Sequence, residues 1–280
     1  ALSNPFHLAE GAAFELFGAL APVASLGRLL AWDNEDESDG PVVDLCESQP
    51  CLAVDQKPES PSEHLRRLEL GALLVALHEP APLQTAIQRQ LLEQVRPHWL
   101  GRLQRRHERT DTNGSCNLVM GLARIHNRLL GHSTEQSSAQ MLDSSAGGTC
   151  LLCNGDQGSE LSVGQLLLLL GGNGTSTLAM VRWRHLNAEG LHLGLRYLKG
   201  LPRPVWLRRA PGAQTHPGVL QSTPDTGSVW HHGLWLPAGQ FGEGENLWLQ
   251  LVSVNSQTVI PLPAANLTTA QVSRHPLTLT

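Results

Sequence analysis

The chain has 280 residues, a formal charge of −5, five cysteines and thirteen histidines. That length buries a real core and allows one to three domains, and the mild negative charge excludes nucleic-acid binding by bulk electrostatics. The charge is unevenly placed: residues 1–64 hold 12 acids against 2 bases, whereas residues 65–280 hold 18 bases against 13 acids, and all the bases but Lys57 and Lys199 are arginine.

Residues 1–100 read as a helical region. LAEGAAFELFGALAPVASLGRLLAW places apolar residues at three- and four-residue spacings and is broken by Pro22. An acidic, proline-dotted stretch near 33–62 follows, with the composition of a disordered loop. EHLRRLELGALLVALHEP and PLQTAIQRQLLEQVRPHWL each predict an amphipathic helix.

From about 101 to 212 the period changes. CNLVMGL, TCLLCN, VGQLLLLLG, TLAMVRWRHL and GLHLGLRYL are short apolar or alternating runs separated by glycine, asparagine and serine. This is the pattern of a small antiparallel barrel or sandwich. ARIHNRLL, between the first two runs, reads as a helix. VRWRHLNAEGLHLGLRYL predicts a hairpin turning at Asn187-Ala188-Glu189-Gly190, with Val181 and Trp183 on one face and Arg182 and Arg184 on the other. Gly171-Gly172-Asn173-Gly174 reads as another hairpin turn. Residues 213–280 continue as a C-terminal β-region through VWHHGLWLP, ENLWLQLVSV and QTVIPLP, so the fold class is α+β. The longest apolar run is too short to span a bilayer.

An odd cysteine count at irregular spacing argues against a secreted disulfide framework. Cys150-Leu-Leu-Cys153 lacks the second pair that a zinc site requires, and the cysteines read as reduced residues buried in strands. With no signal peptide evident, the expectation is a soluble, cytoplasmic protein. G-x-S-x-G, H-E-x-x-H and Walker A patterns are all missing. The adjacent His231 and His232 would face opposite sides of a strand. The chain therefore reads as a non-enzyme with neither metal nor cofactor.

The positive signal is RLQRRHERT. Arg102, Arg105, Arg106 and Arg109 fall within eight residues beside His107. Arginines four apart can grip one anion or two linked ones from either an extended segment or a helix, and the guanidinium fork suits both phosphate and the O6/N7 edge of guanine. A solvated basic turn closing a helix is the alternative use of the same charge.

RRHERTDTNGSCNLVMGL resembles the start of a PilZ domain, the bacterial cyclic di-GMP receptor module, which opens with R-x-x-x-R before its first strand. MVRWRHLNAEGLHLGLRYL is similar to that family's final strands. The likeness covers residues 100–210 and implies a PilZ-like β-barrel over 101–212. It further implies that Arg105 and Arg109 meet ligand phosphate and guanine, with Arg102 and Arg106 beside them. The family's second element, D/N-x-S-x-x-G, is sought after TCLLC. There Asn154 fits its first position, Asp156 replaces the serine, Ser159 takes the glycine position, and Gly158 serves by a one-residue slip. The implied function is a cyclic di-GMP receptor that switches conformation or partner. The alternative is a PilZ-like adaptor that has lost its ligand and binds a protein partner.

Overall fold

The computed structural model describes residues 8–9, 11–32, 41–46, 63–77, 85–99, 109–154, 161–171, 175–224, 230–252 and 256–277. The chain divides into two compact units, Ala1–Arg106 and His107–Thr280.

In the first unit, α1 (Ala12–Leu20) runs into a 3-10 helix, Ala21–Leu26. Pro22 sits in the first turn of that helix, where its missing amide costs nothing. Strands β1 (Arg28–Ala31), β2 (Val42–Asp44) and β3 (Leu65–Glu69) pair antiparallel in the order β1-β3-β2. Helices α2 (Gly71–Ala76) and α3 (Ala86–Trp99) follow. Thr85 starts α3 with a reciprocal cap: the Gln88 amide donates to Thr85 Oγ1, and the Thr85 amide donates to Gln88 Oε1. Leu16, Ala19, Leu73, Leu92, Val95 and Trp99 form the core.

This unit corrects the expectation at three places, two read as helical and one as disordered. GRLLA and HLRRLE are strands, because Leu29 pairs with Leu68 and Val43 with Arg66. Cross-strand pairing overrides a local helical period. Val42–Asp44 is an ordered strand inside the stretch expected to be disordered; the remainder, 33–40 and 47–62, lies outside the described residues.

The second unit is β-rich. Strands β4 (Thr110–Met120), β5 (Ser137–Ser145), β6 (Gly148–Cys153), β7 (Leu166–Leu170), β8 (Ser176–Asn187) and β9 (Gly190–Tyr197) form a closed barrel in the order β4-β5-β6-β9-β8-β7. Pairing of β4 with β7 completes the ring. The second sheet comprises β10 (Leu201–Arg208), β11 (His216–Pro224), β12 (Trp230–Pro237), β13 (Asn246–Leu251), β14 (Ser256–Pro261), β15 (Leu267–Thr268) and β16 (Val272–Leu277), in the order β14-β13-β10-β11-β12-β16-β15. Because β10 pairs with β11 and β13, the barrel strands end at Tyr197 rather than running on to 212.

The leucine run of β7 is explained by burial on both faces. Leu167 and Leu169 point into the barrel with Leu118, Leu151, Val181 and Leu193. Leu166 and Leu168 face outward into an apolar seam with Leu178, Met180, Val219, Trp235 and Val272. Helix α4 (Leu122–Leu129) fits into that seam through Leu122 and Ile125. Gln221 is buried there too, accepting from Trp235 Nε1 at 3.0 Å and donating to the Lys199 carbonyl at 2.8 Å. The other face of the second sheet has its own core around Val205, Leu207, Leu234 and Leu249.

The hairpin at 187–190 forms as expected: Asn187 pairs with Gly190, and its Oδ1 accepts from the Glu189 and Gly190 amides. The faces of β8 differ from expectation, because a bulge lies between Val181 and Trp183. Val181 pairs with Leu195, inside the barrel, while Trp183 pairs with Gly194. Trp183 and Val181 therefore take opposite faces, and Arg184, opposite Leu193, no longer shares a face with Arg182. Gly194 makes room for the indole: a Cβ there would sit 1.8 Å from Trp183 Nε1.

Candidate functional site

The β5–β6 hairpin gathers polar groups that the barrel interior excludes. A register shift between Met141 and Asp143 interrupts the ladder. The Cys150 amide donates instead to Asp143 Oδ1 at 3.1 Å. Thr149, fully buried, donates its hydroxyl to the Asp143 carbonyl at 2.5 Å. At the turn, Ser145 Oγ donates to the Gly148 carbonyl at 3.1 Å and accepts from the Gly147 amide at 3.3 Å. Gly148 is obligatory, because a Cβ there would lie 2.0 Å from the Leu195 carbonyl oxygen. The Tyr197 amide donates to Gly147, tying the turn to the last barrel strand.

Arg109 joins this hairpin from the residue before β4. Its Nη1 donates to Asp143 Oδ2 at 2.7 Å and to Oδ1 at 3.0 Å. The side chains are 32% and 21% exposed, so the pair is open to solvent and to exchange. One carboxylate thus holds the end of the arginine-rich segment and the bulged strand together.

Asp143, Ser145 and Gly148 stand at the spacing D-x-S-x-x-G, with no substitution needed. The sequence reading missed them by looking for the element after Cys153, where only a degenerate version occurs. The missed signal was the plain spelling of DSSAGG at 143–148.

Of the residues singled out from the sequence, Arg102, Arg105, Arg106, Asp156, Gly158 and Ser159 lie outside the described residues. Arg109 is at the hairpin. Asn154 follows the opposite end of β6, four residues beyond Cys150, or about 13 Å along the strand. The expected meeting of Arg109 with Asn154 is therefore corrected: register sets Arg109, which precedes β4, beside the start of β6, whereas Asn154 follows the far end of that strand.

Asp143 of β5 and Gly194 of β9 stand opposite Cys150 of β6, two residues beyond Gly148. Burial, and then the Asp143 charge, raise the Cys150 thiol pKa, while Arg109 opposes them. Cys153, in the barrel core, is pushed up to about 12, chiefly by burial. Cys116, Cys150 and Cys153 are buried free thiols in strands, whereas Cys46 is exposed in a turn, against expectation. Cys51 lies outside the described residues. Among the described residues no three His, Cys, Asp or Glu side chains group as metal ligands, and no helix is long and apolar enough to cross a membrane.

No protein-family model matches the sequence, and no curated protein matches it.

Proposed function

We propose that the chain is a cyclic di-GMP receptor built on a PilZ-like barrel, with Arg105, Arg109, Asp143, Ser145 and Gly148 as its first ligand contacts. The observation that supports this reading is the Arg109–Asp143 pair, which joins the last arginine of R-x-x-x-R to a hairpin with D-x-S-x-x-G spacing. Arg102 and Arg106 are further ligand contacts in the same segment.

The chemistry follows from the groups present. A phosphodiester competes with the Asp143 carboxylate for the Arg109 fork. The freed carboxylate accepts from the N1–H and N2 amino group of guanine, while arginine donates to O6 and N7. Asp143 stays anchored by the Cys150 amide during this exchange. Release of Arg109 repositions the segment before it, and the output is a change in conformation or partner rather than a reaction.

Calorimetry with cyclic di-GMP is the test. The intact chain is expected to bind in the micromolar range, and Arg109→Ala and Ser145→Ala at least about tenfold more weakly. Absence of binding heat in the intact chain ends the receptor reading.

One observation favours the second reading, a PilZ-like adaptor that has lost its ligand: Arg109 already has an intramolecular counter-charge. Capture of a protein partner from the native cell extract that is unaffected by cyclic di-GMP, together with silent calorimetry, selects it.

A further inference from the structure

Arg182, Arg196 and Arg274 stand on strands that border the seam between the barrel and the second sheet. Arg196 on β9 stands opposite Gly148 of β6 and Met180 of β8, and is exposed. Arg182 is the extra residue of the β8 bulge. Arg274 on β16 stands opposite Trp235, with its guanidinium carbon 5.9 Å from the indole centre. Its fork lies over Gly233, where a Cβ would come within 2.6 Å of Nε and Nη2. Met180 and Trp235 belong to the same apolar seam, so the backbones carrying the cations are held by one packed layer.

Burial, and then the charge of Arg196, lower the pKa of both Arg182 and Arg274. Arg196 thus repels each of the other two. Among the described residues none of the three pairs with a carboxylate. Stacking on Trp235 and a 3.3 Å bond to Asn266 Oδ1 account for the placement of Arg274. They do not account for Arg182, which is half-buried with no hydrogen bond or ion pair among the described residues. Gathering cations out of water without a counter-charge is unfavourable, and a bound anion reverses the sign.

We propose that Arg182, Arg196 and Arg274 form an anion site that takes a phosphoryl group. A tetrahedral phosphate presents several oxygens to converging forks, each fork matching two of them. The site shares no residue with the Arg109–Asp143 hairpin and does not depend on the cyclic di-GMP reading. Its phosphoryl group comes from free phosphate or from a nucleotide diester.

The test is thermal unfolding of the full chain in phosphate, and in cyclic di-GMP, each against chloride at matched ionic strength. One of the two anions is expected to raise the midpoint, with at least about tenfold weaker apparent affinity in Arg196→Gln and in Arg182→Gln. Without the anion, Arg196→Gln is expected to unfold at a higher temperature than the unaltered chain, because a repulsion is gone. Arg124→Gln, whose side chain pairs with Glu135 outside both arginine clusters, is expected to keep the anion effect. A response to phosphate assigns a free anion, and a response to the dinucleotide alone assigns a diester. The proposal is overturned if neither anion stabilises the chain, if Arg196→Gln responds as the unaltered chain does, or if Arg124→Gln abolishes the response.

Discussion

The Asp143 carboxylate receives both the Arg109 guanidinium and the Cys150 amide, and the two bonds differ in weight. A partly exposed ion pair contributes up to about 1 kcal/mol, so Arg109→Ala is expected to cost no more than that. Asp143→Ala also strands the Cys150 amide and is expected to cost about 1–3 kcal/mol. Asp143→Asn keeps an acceptor and falls close to Arg109→Ala; urea unfolding orders the three. His126 presents a different balance. It is fully buried in α4, with its ring 4.2 Å from that of Trp206, edge to face. The Asn127 side chain and the Val205 backbone are its nearest polar groups, yet neither bonds its ring nitrogens in good geometry. Burial is the main cause that lowers its pKa. The unfolded chain therefore takes up a proton first, and the native state loses stability as pH falls below about 6.5. Urea midpoints at pH 7.5 and 5.5 are expected to differ less in His126→Phe than in the unaltered chain. At this scale the spelling of DSSAGG was legible, since spacing alone carries it. The bulge at Arg182 was not, because an inserted residue leaves the composition of a strand unchanged.

Strand β7 shows what element-scale reading captures. Five successive leucines with no polar alternation imply burial on both faces, and both faces are buried. Leu167→Ala empties space inside the barrel and Leu168→Ala empties it in the seam; each is expected to cost about 2–5 kcal/mol in urea unfolding. Leu186→Ala, at a site 58% exposed, is expected to stay within about 0.5 kcal/mol. A silent Leu168→Ala would mean that the outer face of β7 is not load-carrying. The N-terminal strands were illegible for a physical reason. HLRRLE has leucines three residues apart, as a helix would, and becomes a strand only because β1 and β2 flank it. The partner of a short strand is remote information, absent from any window of ten residues.

At the scale of the molecule, three of the four apolar cores lie within 107–280 and the fourth within the N-terminal unit. A chain of residues 107–280 is therefore expected to fold without the rest, with one cooperative urea transition reported by the buried Trp235. Non-cooperative unfolding of that fragment would show that the N-terminal unit completes it. The period of the sequence changes near 101, and the compact units divide after Arg106. The membership of β10 was not readable, since Leu201–Arg208 alternates equally well for either sheet.

Union of β4 with β7 leaves the six-stranded ring without a free margin. No foreign polypeptide can lengthen it by backbone bonding, and no slipped copy of itself can template on it. The seven-stranded layer is otherwise: β15 is two residues long, but β14 offers six at an outer margin, with Val259 exposed and Pro261 blunting one end. Among the described strands, β14 is the six-residue outer margin at which a strand from another chain can add.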